Sequence, residues 1–191
     1  MNLTKEEILQ IFRETDALLE GHFLLTSGLH SPHYFQCAKV LQHPRYLHLI
    51  AGEIVKNFEH NGIELVVSPA VGGIVVGTEV GRMLEARTIF AERENGVMSL
   101  RRGFEIRKGE RVLVVEDVVT TGGSVKEIIH LVEKAEAVLA GVGYIVDRSS
   151  GKTTFNAKTF SALQMDVVTY SAEVCPLCKQ GTPAVKPGSR K

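Results

Sequence analysis

The stretch Arg111 to Val125, RVLVVEDVVTTGGSV, constrains this chain more than any other. Val112 to Val115 is an unbroken apolar run, β-branched at three of its four positions. Such a run suits a strand buried on both faces of a parallel sheet. It ends in two adjacent acids, Glu116 and Asp117, passes through Val118 and Val119, and reaches the polar turn Thr120-Thr121-Gly122-Gly123-Ser124. A helical pattern follows, with Val125, Ile128, Ile129 and Val132 on one face. The stretch predicts strand, loop and helix N-terminus in succession.

That succession carries specific chemistry. Open α/β sheets bind ligands at the carboxyl ends of their strands. A glycine-rich turn opening a helix presents unpaired backbone N–H groups and the positive end of the helix dipole, which attract phosphate. Each charge-assisted hydrogen bond in such a cradle contributes about 1.5–3 kcal/mol. Two carboxylates just upstream would repel a bare phosphate; they fit a ligand that also brings hydroxyl groups or a divalent cation. A sugar phosphate meets both needs. The competing reading is a buried strand whose Asp and Thr merely cap the next helix. Neither G-x-x-x-x-G-K-[ST] nor a G-x-G-x-x-G after a strand is present.

The 191 residues suffice for one α/β domain with a sizeable core and are short for two. With 22 basic and 22 acidic side chains, no polyelectrolyte partner such as nucleic acid is expected. No apolar run approaches the roughly 20 residues needed to span a bilayer. Met1-Asn2-Leu3-Thr4, leading into a charged amphipathic pattern, does not read as a signal peptide. Three cysteines, an odd number, argue against a disulfide framework and fit a reducing cytoplasm.

Thr4-Lys5-Glu6-Glu7 has the form of a capping box, and Ile8, Ile11, Phe12, Leu18 and Leu19 supply the apolar face of a packing helix. Gly21 to Gln36 predicts two short strands around a Ser-Gly turn. Pro44 to His60 reads as a helix and Leu65 to Ser68 as a second buried strand. Pro69-Ala70-Val71-Gly72-Gly73 is then a second loop at a strand end, opening a helix through Val76, Val80 and Leu84. Its glycines allow close backbone approach to a ligand, or serve helix–strand packing. Thr88 to Ala91 is a third strand. The polar stretch Glu92 to Glu110 carries Arg93, Arg101, Arg102, Arg107 and Lys108. Within it, Val97–Leu100 and Gly103–Ile106 suggest a loose hairpin. Such charge runs are usually solvated surface, yet a loop this long in a compact domain is usually functional or disordered.

Ala137 to Val146 predicts another strand, ending in Asp147-Arg148. An arginine there can pair bidentately with a carboxylate, either that of Asp147 or that of a ligand. Phe160–Leu163 and Val167–Tyr170 read as two last short strands. Cys175-Pro176-Leu177-Cys178 is half of a zinc site or two ordinary thiols; histidines or a second subunit would be needed to complete the site. A basic, Pro/Gly-rich end follows.

The central stretch resembles the signature of the type I phosphoribosyltransferases, which bind phosphoribosyl pyrophosphate (PRPP). The resemblance implies that Glu116 and Asp117 contact the ribose hydroxyls. It assigns Val118, Val119, Thr120, Thr121, Gly122, Gly123 and Ser124 to the loop around the 5′-phosphate, with Thr120 also near the base. Pro69 to Gly73 is similar to the family's pyrophosphate loop, with Gly72 at PRPP. Phe23 to Phe35, FLLTSGLHSPHYF, resembles the hood segment of orotate phosphoribosyltransferases, which places Tyr34 and Phe35 against the orotate ring. Asp147-Arg148 matches the same enzymes and gives Arg148 a hydrogen bond to orotate.

From these resemblances the expected architecture is α/β, a type I phosphoribosyltransferase fold with a central parallel sheet of about five strands flanked by helices. A small N-terminal hood, mainly residues 20–40 with the C-terminal segment, and a mobile lid at 92–110 complete a single phosphoribosyltransferase domain over 1–191. The implied reaction is orotate plus PRPP giving orotidine 5′-monophosphate and pyrophosphate, in pyrimidine synthesis. Arg93 and Arg102 would neutralise pyrophosphate beside Asp117, and Mg2+ would be held through the substrate rather than by the protein directly. A cytoplasmic homodimer acting on small molecules, with no nucleic-acid or membrane partner, is expected. The chain departs from the familiar orotate enzymes at Thr26, Gly72 and Glu94, where they carry lysines. Two alternatives therefore stand: transfer to a purine base, and a PRPP-sensing regulator without catalysis.

Overall fold

The computed structural model describes residues 3–25, 27–165 and 168–187. Helix α1 (Lys5–Glu14) starts at the capping box: Thr4 Oγ1 accepts from the Glu7 amide at 3.2 Å, and the Glu7 carboxylate accepts from the Thr4 amide at 2.7 Å. It buries Ile8, Ile11 and Phe12. Leu18 and Leu19, expected on this helix, belong instead to strand β1 (Leu18–Leu24). The helix ends at Thr15, and Asp16 turns left-handed at φ +52°, a conformation that a short polar side chain tolerates. Leu18 then pairs across to Phe35 of strand β2 (His30–Phe35). A single turn, α2 (Ala38–Leu41), and helix α3 (Pro44–Phe58), with proline in its first turn, follow.

The central sheet takes strands β3 (Leu65–Pro69), β4 (Arg87–Glu94), β5 (Val97–Leu100), β6 (Arg111–Val119), β7 (Val138–Asp147) and β8 (Thr159–Gln164) in the order β5-β4-β3-β6-β7-β8. Neighbours from β4 to β8 run parallel, and β5 runs antiparallel at the edge. The sheet is therefore mixed, with a parallel core of the expected size. The edge strand arises because Asn95 (φ +52°) and Gly96 (φ +83°) both take left-handed conformations, which fold Val97–Leu100 back onto β4. The expected partner run, Gly103–Ile106, forms no strand. Arg102 and Gly103 are both left-handed, and Phe104 anchors the turn by an edge-on contact with Phe90, 5.2 Å between centroids. Nor do residues 168–170 form a strand. Tyr170 makes one isolated bridge to His30, and Val167 lies outside the described residues.

Strand β6 shows why its apolar run is continuous. Leu113 and Val115 pack with Ile8, Phe12, Ile54, Phe58, Val76 and Val80 on one face of the sheet. Val112 and Val114 pack with Val125, Ile128 and Val132 on the other. Helix α4 (Gly72–Leu84), which follows β3, thus covers one face, and α5 (Gly123–Lys134), which follows β6, covers the opposite face. β3 and β6 are neighbours whose connections leave to opposite sides, so a crevice opens beyond their carboxyl ends. A four-residue helix, α6 (Pro176–Lys179), closes the described chain's secondary structure.

Phe58 is fully buried, and its ring fills the space left by Gly141 and Gly143 on β7. Phe58→Ala should cost about 3–5 kcal/mol. Urea unfolding should show a lower midpoint at unchanged slope; an unaltered midpoint would contradict this packing.

Candidate active site

At the crevice the start of α4 touches the end of β6. The backbone of Gly72 lies so close to Asp117 that any Cβ at position 72 would collide with that carboxylate. A Cβ at Gly73 would sit 3.1 Å from Glu116 Oε1 and 3.1 Å from Pro69 Cδ. The glycines at the start of α4 thus leave room for the acids of β6 as they stand, and a side chain at position 72 would require the Asp117 carboxylate to turn aside. The Ala70–Val71 peptide is cis, and Val71 is exposed at the rim. A cavity of about 530 Å³ lies here, bordered by Phe35, Cys37, Val71, Gly72 and Asp117 among others.

Beside it, the turn Thr120–Ser124 lines a smaller cavity of about 200 Å³ together with Arg93 and Glu116. Gly122, the N-cap of α5, takes φ +72°, and α5 has no side-chain cap. The first amides of a helix lack intrahelical partners, and here no side chain takes their place at the N-cap, so they remain available to an anion. Gly122 also packs closely: an added Cβ would meet Thr153 Cγ2 at 2.6 Å and the Phe155 ring at 3.0 Å. Thr153 Oγ1 in turn donates to the Thr120 carbonyl at 2.9 Å. The turn is thus braced by residues 149–155.

Asp147 shapes that brace. Its Oδ1 accepts from the Ser149 amide and hydroxyl, both at 2.7 Å, and its Oδ2 accepts from the Gly151 amide at 3.2 Å. Arg148 is left without it. Arg148 Nε is buried with no hydrogen-bond partner. Burial lowers the guanidinium's pKa, opposed by the nearby Cys37 and Tyr34. Of the two readings of Asp147-Arg148, the structural ion pair does not form.

Strand alternation separates the two hood aromatics. Phe35 is buried edge-on to Phe12, 6.2 Å between centroids, and also borders the larger cavity. Tyr34 leans on Phe23 at 5.8 Å, and its hydroxyl donates to Gln36 Oε1 at 3.1 Å. Cys37, which sequence reading passed over, sits under the hood. Burial pushes its thiol well up, and the charge of Asp117 adds to the effect. Its one signal in the sequence was its position directly after the hood strand.

The basic stretch reaches the site only in part. Arg93 lines the phosphate-sized cavity while donating to Glu127 of α5 and, at 2.9 Å, to the Gly96 carbonyl. Arg102 is bound to Glu92 at 3.1 Å, lies over the Phe90 ring at 5.5 Å, and borders neither cavity. Arg101 faces Glu94 at 3.4 Å. Thr26 lies outside the described residues.

Electrostatically the acid pair is the centre of the site. Glu116 is 9 % exposed, and its pKa is pushed up to about 9, mainly by burial and then by the charge of Asp117. A divalent cation or hydrogen-bonding hydroxyls at this position would favour its ionised form.

Residues 37–168 match the family of the phosphoribosyl transferase domain, the class that a phosphate turn and acid pair at this switch point define. The chain is 57% identical over 189 residues to the orotate phosphoribosyltransferase of Pelotomaculum thermopropionicum, covering 99% of this chain and 100% of that protein. It is 59% identical over 188 residues to that of Chlorobaculum parvum, covering 98% and 97%. Its fold matches the crystal structure of orotate phosphoribosyltransferase from Aeropyrum pernix with a TM-score of 0.72 at 19% identity, over 83% of this chain and 93% of that one. The chain belongs to the phosphoribosyltransferase family and, within it, to the orotate phosphoribosyltransferases.

The raised Glu116 has a pH signature. In the unfolded chain the group ionises near 4.5 and in the folded chain near 9, so folding takes up a proton between those values. Wild-type stability should fall as pH rises from about 4.5 toward 9. Glu116→Gln removes this ionisation, and should raise stability by roughly 2–5 kcal/mol at pH 8. The gain should shrink to nothing near pH 4. Thermal unfolding of both proteins across this range checks it; a gain independent of pH would contradict the raised pKa.

Proposed function

We propose that this protein transfers the 5-phosphoribosyl group of PRPP to orotate, giving orotidine 5′-monophosphate and pyrophosphate in pyrimidine synthesis. The observation that carries the reading is the convergence, at one switch point, of an uncapped phosphate turn, an acid pair and an arginine whose buried Nε has no partner. The full-length relatives named orotate phosphoribosyltransferase support it.

In this reading Thr120 to Ser124 hold the 5′-phosphate through backbone amides at the start of α5, with Val118 and Val119 lining the approach. Glu116 and Asp117 accept from the ribose hydroxyls. Arg148 meets the orotate carboxylate, a pairing that satisfies its orphaned Nε, and Phe35 and Tyr34 carry the hood over the ring. The loop at Gly72 receives pyrophosphate. As the C1–oxygen bond breaks, the electron pair leaves with pyrophosphate while the orotate ring nitrogen bonds to C1 and gives up its proton to the departing pyrophosphate or to solvent. The sugar passes through an oxocarbenium-like state, so positioning and electrostatic stabilisation supply the rate. Arg93 stands beside the phosphate turn to offset charge on the leaving group. Arg102 joins it only if the 92–110 lid moves and releases Glu92.

The acid pair also suits a Mg2+ ion carried by the substrate: Glu116, kept protonated mainly by burial and then by the charge of Asp117, would be favoured in its ionised form by a cation nearby. When bound through PRPP, the metal neutralises phosphate charge and orients the substrate's oxygens. We further propose a cytoplasmic homodimer. Among the described residues no helix is long and apolar enough to cross a membrane.

Mixing the protein with PRPP, Mg2+ and orotate should consume the orotate absorbance. Arg148→Ala should lower kcat/KM for orotate by about 10²–10³-fold, the effect of leaving a buried carboxylate unpaired, with PRPP binding retained. Turnover of adenine, guanine or hypoxanthine in place of orotate would refute the base assignment while leaving the PRPP site intact.

A further inference from the structure

Away from the crevice, four metal-ligating side chains converge on one point. His22 of β1, His30 of β2, and Cys175 and Cys178 around α6 bring one ligand atom each to within 4.8 Å of all the others. His22 and Cys175 are essentially buried, His30 is 8 % exposed, and Cys178 is half-buried. Cys175 Sγ lies 3.6 Å and Cys178 Sγ 3.7 Å from His22 Nε2, and Cys178 Sγ lies 3.3 Å from His30 Nδ1. With Zn–S near 2.3 Å and Zn–N near 2.0 Å, a tetrahedral ion sets sulfur–nitrogen edges at about 3.5 Å. The His22 Nε2 to His30 Nδ1 separation of 2.6 Å is shorter than the roughly 3.3 Å edge of such a site, so the two rings would part by about 0.7 Å around an ion.

The surroundings favour a metal over four independent side chains. His22 Nδ1 lies 2.6 Å from the Thr182 carbonyl oxygen; donating its proton there leaves the Nε2 lone pair aimed at the cluster. Two thiolates, two neutral imidazoles and one divalent cation sum to zero charge, which suits a buried position. Nor does the segment that brings the cysteines have a core of its own. Among its described residues Cys175 is the one buried hydrophobic residue, while Val168, Val174 and Val185 are exposed. It is held to the hood by two short backbone pairings, Leu24 N to Val185 O at 2.9 Å with Val185 N to His22 O at 2.8 Å, and His30 N to Tyr170 O at 2.8 Å with Tyr170 N to His30 O at 2.9 Å, and by the Ser31 hydroxyl donating to the Val168 carbonyl at 3.0 Å.

We propose that His22, His30, Cys175 and Cys178 bind one Zn2+ ion that staples the C-terminal segment to the β1–β2 hairpin. The set is complete at four ligands and shares no residue with the cavities at the crevice, so the ion is structural. The inference does not rest on the base assignment.

The test uses the full chain without a histidine tag, expressed with added zinc and desalted. Elemental analysis should find about one zinc per chain. Stripped protein given equimolar Co2+ should develop the intense visible bands of a tetrahedral site together with sulfur-to-cobalt charge transfer. The double variant Cys175→Ser/Cys178→Ser should lose both signals, and His33→Ala, altered in the same hairpin outside the cluster, should keep them. Chelation should lower the thermal midpoint by at least about 5 °C. Because the cobalt spectrum is read on wild-type protein, a variant that misfolds does not blunt the test. Metal-free wild type that gives no such spectrum, or a Cys175–Cys178 disulfide in place of the ion, would overturn the proposal. Loss of the metal without any change in midpoint would overturn its stapling role.

Discussion

The close approach of the glycine-thin turn at the start of α4 to two carboxyl groups of β6 governs the site. β3 and β6 lie side by side, their helices depart to opposite faces, and the start of α4 meets Glu116 and Asp117. The approach is possible because positions 72 and 73 carry no side chain. It buries Glu116 against its neighbour's charge and raises its pKa to about 9. A protein selected for stability alone would not keep this pair. Such a local conflict between burial and charge is common at functional sites, and here it stands where the strand order places a ligand crevice.

A second dependency runs from the end of β7. Asp147 and Arg148 are adjacent, yet they serve different neighbours. Asp147 collects the Ser149 and Gly151 amides and so folds the segment that carries Thr153 and Phe155 against Gly122. That contact holds the left-handed turn at the head of α5. Arg148, freed from its neighbour, keeps an unpartnered Nε in the interior. The cost of burying a charge without a partner is high, and a carboxylate of matching geometry would remove it. One residue of the dipeptide thus braces the turn at the head of α5, and the other leaves a buried donor to be satisfied, which the proposed function assigns to the ligand.

What the sequence disclosed follows from which forces are local. The doubly buried β6 was legible because two faces of packing leave no polar alternation, and the capping box at Thr4 because both of its bonds close within four residues. Leu18 and Leu19 were misplaced because spacing alone could not register that Asp16 turns left-handed. Gly103–Ile106 looked like a strand by alternation, but the side-chain anchor between Phe104 and Phe90 decided its shape. The arginines of that stretch were visible as charges, while their engagement with Glu92, Glu94 and Glu127 was not. Least visible was the cluster at Cys175 and Cys178. Its histidines lie about 150 residues away in the chain, and no local pattern links ligands so far apart.

The hood shows how such distant contacts bear on the crevice. An isolated two-stranded hairpin is marginal in water, and β1–β2 forms no part of the central sheet. It is fixed at two ends. Near the crevice, Phe35 is driven into the core against Phe12; at the far end, His22 and His30 meet the C-terminal cysteines. Between these anchors β2 carries Tyr34 and Phe35 and leads directly into Gln36 and Cys37, which border the larger cavity with Phe35. A wall held at both ends is ordered before a ligand arrives, so binding need not supply the entropy of ordering it. In the proposed function the C-terminal segment, whose described residues border neither cavity, would then contribute to recognition through the stiffness of the strand it holds.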